Sequence, residues 1–102
     1  MLDKTANQCD WFVYLIRTKD AALYCGVTTD VDRRFNEHQE NGTKTAKYLR
    51  GKQPLILAWY KRVGDKRLAM RLEYRIKRLK KTQKERLCCD EKYWLVFLST
   101  TD

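Results

Sequence analysis

One proline and four glycines in 102 residues leave no room for a flexible linker, a collagen-like repeat or a low-complexity segment. Long apolar runs are missing too. The longest, Phe12–Ile16 and Tyr93–Leu98, fall far short of the ~20 residues that span a bilayer, so no membrane partner is expected. Met1–Asp10 carries acids and polar residues in place of a basic start and an apolar stretch, the pattern expected of a chain without an export signal. The four cysteines, Cys9, Cys25, Cys88 and Cys89, form no C-x-x-C pair, and the single histidine, His38, is not spaced with them like a zinc ligand. They are expected to be reduced thiols of a cytoplasmic protein, with Cys25 a small core residue. What remains is a single-domain length of chain with 43% hydrophobic and 12% aromatic residues, enough for a core without staples.

Charge is plentiful and uneven. The net charge is +9, yet residues 41–86 alone carry +13, while residues 1–40 and 87–102 carry −2 each. A field of that strength selects a polyanion, and nucleic acid is the partner expected, DNA first with RNA open. Lys47, Arg50 and Lys52 lie near the loop before the third strand, and Arg71, Arg75 and Arg78 recur at helical spacing. These are the candidate phosphate contacts, sequence-independent and salt-sensitive. No helix-turn-helix or zinc-finger pattern is present, so recognition is expected to follow nucleic-acid structure more than base sequence.

Trp11–Arg17 (WFVYLIR) reads as a strand apolar on both faces, hence central in a sheet. Ala22–Val27 reads as its hairpin partner. A loop over residues 18–20 pairs Arg17 with Ala21 and sets Tyr14 opposite Tyr24, with Asp20 in the left-handed position. A four-residue loop would set Tyr14 against Cys25. Thr28-Thr29-Asp30 offers N-caps for a helix over Val31–Glu40, ended by Asn41-Gly42. Lys44–Arg50 reads as a short helix and Leu55–Lys61 as a third strand. Arg67–Leu87 reads as one long helix with an apolar stripe at Leu68, Leu72, Ile76, Leu79 and Leu87. The expected fold is α/β (α+β): a small, mainly antiparallel three-stranded sheet covered by helices, in the order β-β-α-α-β-α. Residues 1–10 form an N-terminal extension, 11–87 the domain and 88–102 a C-terminal tail. The tail run YWLVFL suits a strand or one to two helical turns packed on the sheet; exposed, residues 93–98 would form an apolar patch for a protein partner.

One set of residues has chemistry in its spacing. Tyr14 and Tyr24 stand on paired strands, with Gly26 two positions after the second. Arg34 follows ten residues later, and His38 lies one helical turn beyond Arg34 on the same face. Glu73 is the one acid between Asp65 and Glu85, and its place beside the apolar stripe turns it toward the sheet.

That joint pattern resembles the GIY-YIG endonuclease superfamily. Phe12-Val13-Tyr14 matches the first tripeptide and Tyr24-Cys25-Gly26 the second, followed by Thr28, Arg34-x-x-x-His38 and Glu73 on a later helix. The longer text VYLIR…LYCGVTTDVDRRFNEH…AKYLRGKQPL…LEYRIKRLKKTQKERL looks like the short, stand-alone, YhbQ-like bacterial branch. The resemblance covers roughly Trp11 to Leu87. Phe12 replaces the glycine of the first tripeptide and Cys25 the apolar middle residue of the second. The asparagine many members carry about a dozen residues after the glutamate falls here in Gln83-Lys84-Glu85.

The resemblance implies a metal-dependent endonuclease that hydrolyses phosphodiester bonds in DNA, in the repair or recombination line. It implies Tyr14, Tyr24, Arg34, His38 and Glu73 as catalytic residues and Gly26 and Thr28 as structural ones. Glu73 would hold one Mg²⁺ or Mn²⁺, since one carboxylate plus waters and phosphate oxygens suits a hard octahedral cation. Arg34 offers a planar, permanently charged fork for a phosphate oxygen. Free tyrosine titrates near 10, and Arg34 and the metal are expected to lower that value. His38 is then expected to accept the proton of a Tyr14 that contacts the attacking water, with Tyr24 orienting water or phosphate; the two tyrosines are interchangeable at this stage. A second reading is a catalytically weak or inactive nucleic-acid-binding module or adaptor of the same fold.

Overall fold

The computed structural model describes residues 10–101. The extension expected over residues 1–10 lies outside them except for Asp10, whose carboxylate meets Arg62 at 2.7 Å.

Three antiparallel strands form the sheet, in the spatial order β2-β1-β3: β1 (Trp11–Arg17), β2 (Leu23–Thr28) and β3 (Ile56–Gly64). β1 is central, as its apolar run requires, and Val13, Leu15 and Ile16 are fully buried. Each such side chain contributes about 1.5–3 kcal/mol relative to an exposed one.

The hairpin register differs from both expected forms. Arg17 pairs with Leu23, so Tyr14 faces Gly26 and Tyr24 faces Ile16. The loop is two residues longer than the shorter expectation because Thr18 organises it. Its N–H donates to the Ala22 carbonyl, its Oγ1 accepts the Ala22 N–H, and its hydroxyl also reaches the Asp20 carboxylate. Ala21 takes the left-handed conformation (φ 69°) in place of Asp20. A two-residue shift keeps every side chain on its face. Tyr14, Tyr24 and Gly26 therefore still share one side of the sheet.

Helix α1 (Val31–Gln39) starts where expected, with the Asp30 carboxylate accepting from the Arg33 N–H at 3.1 Å. Thr28 Oγ1 accepts the Asp30 N–H and fixes the strand-to-helix turn. The short helix expected over Lys44–Arg50 contracts to one 3₁₀ turn over Lys47–Leu49, anchored by fully buried Leu49. Along β3, Trp59 pairs with Leu15 and Leu57 with Ile16, leaving Ala58 as an inserted residue. This bulge turns Leu57 to the Ile16 side while Trp59 stays on the Leu15 side.

The long helix expected over Arg67–Leu87 is broken into α2 (Lys66–Lys77) and α3 (Lys81–Cys89). Lys80 is extended, and Gln83 Oε1 accepts its N–H at 2.9 Å. A straight 21-residue helix would run about 30 Å, past the roughly 23 Å of β1. The break instead folds α3 back, buries Leu87, and lets Glu85 pair with Arg17 through two hydrogen bonds of 2.6 and 2.9 Å. The C-terminal run becomes α4 (Glu91–Ser99), capped by the Asp90 carboxylate on the Tyr93 N–H. Trp94 and Phe97 enter the same core as Leu15 and Leu72, and the Trp94 ring meets Trp59 edge-on at 5.2 Å. Residues 93–98 thus dock mainly on their own core, with Leu95 and Val96 facing outward.

The sheet's two faces carry separate clusters. Val13, Leu15, Leu23 and Cys25 pack under α2, α3 and α4, whereas Tyr14 and Ile16 pack with Leu49 and Leu55 under α1 and the loop after it. No helix among the described residues is long and apolar enough to cross a membrane.

Candidate active site

The site lies on the second of those faces. Gly26 is directly across from Tyr14, and a Cβ there would come within van der Waals overlap of the Tyr14 ring and hydroxyl. The glycine is required because the tyrosine's Oη occupies the space its side chain would fill. Tyr14, 2% exposed, is thereby laid flat across β2 with its hydroxyl directed at α1.

On α1, His38 is fully buried, and its Nε2 stands 3.0 Å from Tyr14 Oη. Its Nδ1 accepts the backbone N–H of Ala46 at 3.2 Å. An amide nitrogen only donates here, so Nδ1 must be bare, and the neutral ring carries its proton on Nε2. His38 therefore donates to Tyr14 Oη. The proton expected to pass from Tyr14 to His38 finds no vacant nitrogen, and the role of His38 changes from acceptor to donor. Burial, helped by the Arg34 charge, pushes His38 down to about 4, so the ring is neutral across the physiological range.

Arg34 lies one turn before His38. Its Nη1 donates to Glu37 and to the Lys44 carbonyl, both at 2.8 Å, which fixes the guanidinium beside the tyrosines. It lowers the tyrosine's titration as expected, but burial outweighs it, and the Tyr14 phenol is raised well above its ordinary value. Tyr24, half-buried, is raised by burial as well, against the lowering by Lys77 and with the raising by Glu73.

Glu73 projects from α2 toward Tyr24 and Cys25, acting electrostatically on both. Its carboxylate pairs with Lys77 at 3.3 Å. Among the described residues no group of three or more His, Cys, Asp or Glu side chains could cage a metal ion. The donor set available, one hard carboxylate in a basic cleft, fits Mg²⁺ or Mn²⁺ completed by waters and phosphate oxygens. Four of the expected catalytic side chains thus meet on the sheet-and-α1 face, and Glu73 stands at the β2 edge, near Tyr24 alone of the four.

The basic residues divide. Lys52 places its ammonium 3.9 Å from the Tyr48 ring centroid, beside the site, and Lys47 is exposed on the 3₁₀ turn. Arg50 bonds the Thr43 and Thr45 carbonyls and so holds the loop. Arg71 and Arg78 are exposed on the outer side of α2, where Arg78 caps the Tyr74 ring. Arg75 is turned away from them onto the end of α4, bonding Phe97 O and Thr100 Oγ1 at 3.2 Å and the Thr101 hydroxyl. Gln83, the expected substitute for the family's asparagine, caps α3; its neighbour Lys84 faces the cleft beside Tyr24. Sequence reasoning passed over Tyr48, Lys77 and Lys84, since nothing in their spacing distinguishes them from ordinary helix and loop residues. The Ala46 N–H has no side-chain signal at all.

A family model described as the GIY-YIG catalytic domain matches residues 10–86. The chain belongs to the GIY-YIG family. That family is one of nucleases. UPF0213 protein YhbQ of Salmonella arizonae is 54% identical over 90 residues, covering 88% of each chain. A UPF0213 protein of Citrobacter koseri is 61% identical over 77 residues, covering 76% of this chain and 75% of its own. The solution NMR structure of UPF0213 protein BH0048 from Bacillus halodurans superposes with a TM-score of 0.51 at 38% identity, covering 89% of this chain and 94% of that one.

Proposed function

We propose that this GIY-YIG chain is a metal-dependent endonuclease that hydrolyses phosphodiester bonds in DNA, selected by structure more than by sequence, in repair or recombination. The observation that carries the reading is the buried hydrogen-bond chain from Ala46 N–H through His38 to Tyr14 Oη, closed over Gly26. Nucleic-acid binding alone needs exposed cations. It does not need a tyrosine hydroxyl oriented by a neutral, tautomer-locked histidine.

In this mechanism the Tyr14 oxygen already accepts one hydrogen bond from His38. Its second lone pair accepts from the attacking water and aims that water's own lone pair at phosphorus. As the water attacks, it passes a proton to that lone pair while the Tyr14 proton moves to a phosphate oxygen, so the phenol is restored. His38 stabilises negative charge that develops on Tyr14 and remains neutral itself. Arg34 holds a second phosphate oxygen. Tyr24 orients water or phosphate from the β2 side. Glu73 would hold the divalent ion, which when bound relieves phosphate charge and assists the leaving oxygen.

The test is a panel of labelled single-stranded, duplex, flapped and branched DNA, plus RNA, each at low salt with Mg²⁺, Mn²⁺ or chelator. Metal-dependent cleavage by the wild type, lost in Glu73→Ala, supports the reading. Tyr14→Phe and Tyr24→Phe are expected to cut the rate by about 10²-fold or more with little change in binding. Normal cleavage by both variants defeats this mechanism. Tight binding without cleavage under any metal, unchanged by Glu73→Ala, favours the adaptor.

A further inference from the structure

Tyr48 occupies an unusual position for a loop aromatic. It is 47% exposed, yet its ring lies parallel to the Tyr24 ring, 14° between planes and 5.8 Å between centroids. The turn that carries it is held by its neighbours: Leu49 is fully buried, and Gln53 and the Lys52 N–H both donate to the Leu49 carbonyl. The fold therefore does not depend on an aromatic at position 48. Beside the stacked pair opens a cleft of about 290 Å³, bounded by both tyrosines, Leu23, Cys25, Lys77 and Lys84. Lys52 rests over the Tyr48 ring and Lys77 over the Tyr24 ring, at 3.9 and 5.7 Å.

Flat aromatic walls with cations at the rim recognise a base and its phosphate together. A duplex hides its base faces in the stack and offers only phosphates to the outside, for which lysine and arginine suffice. An aromatic kept in solvent beside the reacting groups has a use when a base is already out of the stack. We propose that the cleft and the Tyr48 face beside it form a subsite for one unpaired nucleobase, which takes the place of the Lys52 ammonium over the Tyr48 ring with its phosphates toward Lys52, Lys77 and Lys84. The substrate class is then nucleic acid that is single-stranded or locally unpaired next to the reacting bond. The proposal rests on the reading that this face binds nucleic acid, and it does not require that the bond be cut.

The experiment is binding in chelator, so that cleavage plays no part. Fluorescence anisotropy with a labelled single-stranded oligonucleotide and with its duplex is compared for wild type, Tyr48→Ala, Tyr48→Leu and Tyr48→Phe, each checked by a thermal melt. Tyr48→Ala and Tyr48→Leu are expected to weaken single-strand binding about tenfold, Tyr48→Phe by less than about twofold, and duplex binding by less than about twofold throughout. Tyr48→Leu keeps the apolar bulk and so separates stacking from a collapsed loop. A 2-aminopurine in the single strand is expected to be quenched by wild type and not by Tyr48→Leu. Equal losses on single strand and duplex, no loss on either, or a Tyr48→Phe variant as weak as Tyr48→Ala would overturn the subsite. Absence of any nucleic-acid binding by wild type would remove the subsite and the proposed function together, whereas single-strand binding of the expected pattern without cleavage under metal would remove the nuclease alone.

Discussion

Alternate residues of the same two strands face two different environments. On one side Val13, Leu15, Leu23 and Cys25 meet α2, α3 and α4 in a hydrocarbon core. On the other, Tyr14, Tyr24 and Gly26 meet α1 and a loop tied down by hydrogen bonds from Thr45, Gln53 and Gln39 to backbone groups. The first side is held by area removed from water, which is tolerant of local detail. The second is held by directed polar contacts, each of which needs its partner in place. A buried histidine and tyrosine are affordable on that side because every buried side-chain nitrogen and oxygen among the described residues has a hydrogen-bond partner.

The comparison can be broken most strongly from the apolar side. Trp94→Ala removes a ring that packs on Trp59 and is expected to cost about 3–5 kcal/mol in urea unfolding. An effect under 1 kcal/mol would mean that α4 is an accessory, not part of the core. On the polar side, His38 is neutral in the folded protein and titrates near 6.5 when unfolded. Acid therefore favours the unfolded chain, so this contribution is intact above pH 6.5 and is lost as pH falls toward about 4. The loss is expected to reach about 3 kcal/mol at the lower end. Urea melts of wild type and His38→Phe between pH 7 and 4.5 read it directly, since the variant should lose most of the slope and keep only the smaller part set by carboxylates such as Glu85. Equal slopes would place the pH dependence elsewhere.

Gly26→Ala sharpens the contrast, because it adds one methyl group on the polar face. It is expected to displace the Tyr14 hydroxyl and lower any cleavage rate about 10²-fold, with a stability cost of about 1–3 kcal/mol from overpacking. An unchanged rate would show that Tyr14 is not where the reaction occurs. The smallest expected effect is at a boundary. Asp30→Ala removes the cap of α1 and should cost about 1 kcal/mol, measured by denaturant midpoint.

Much of this arrangement was legible in the chain. The strand WFVYLIR announced itself as central by being apolar on both faces through Ile16, and the Thr28-Thr29-Asp30 cluster marked the start of α1. The i, i+4 spacing put Arg34 and His38 on one helical face. The hairpin register was not legible, because it depends on Thr18 bonding two backbone positions around Ala22, which no local preference encodes. Nor was the break between α2 and α3, because the apolar stripe continues through it and Lys80, the position that Gln83 caps, is no strong N-cap residue type to announce it.

The sequence by itself determined which residue types meet: two tyrosines and a glycine on one sheet face, an arginine and a histidine on one helix, and a glutamate turned inward from a basic stretch. Tertiary structure alone decided their protonation and their access. A backbone N–H from the loop after α1 leaves His38 Nδ1 without a proton, and burial under α1 keeps Tyr14 protonated despite Arg34. Both effects depend on groups from different elements closing on one another. Spacing along a strand or helix fixes direction, while desolvation and hydrogen-bond polarity exist only once the surrounding surfaces have closed.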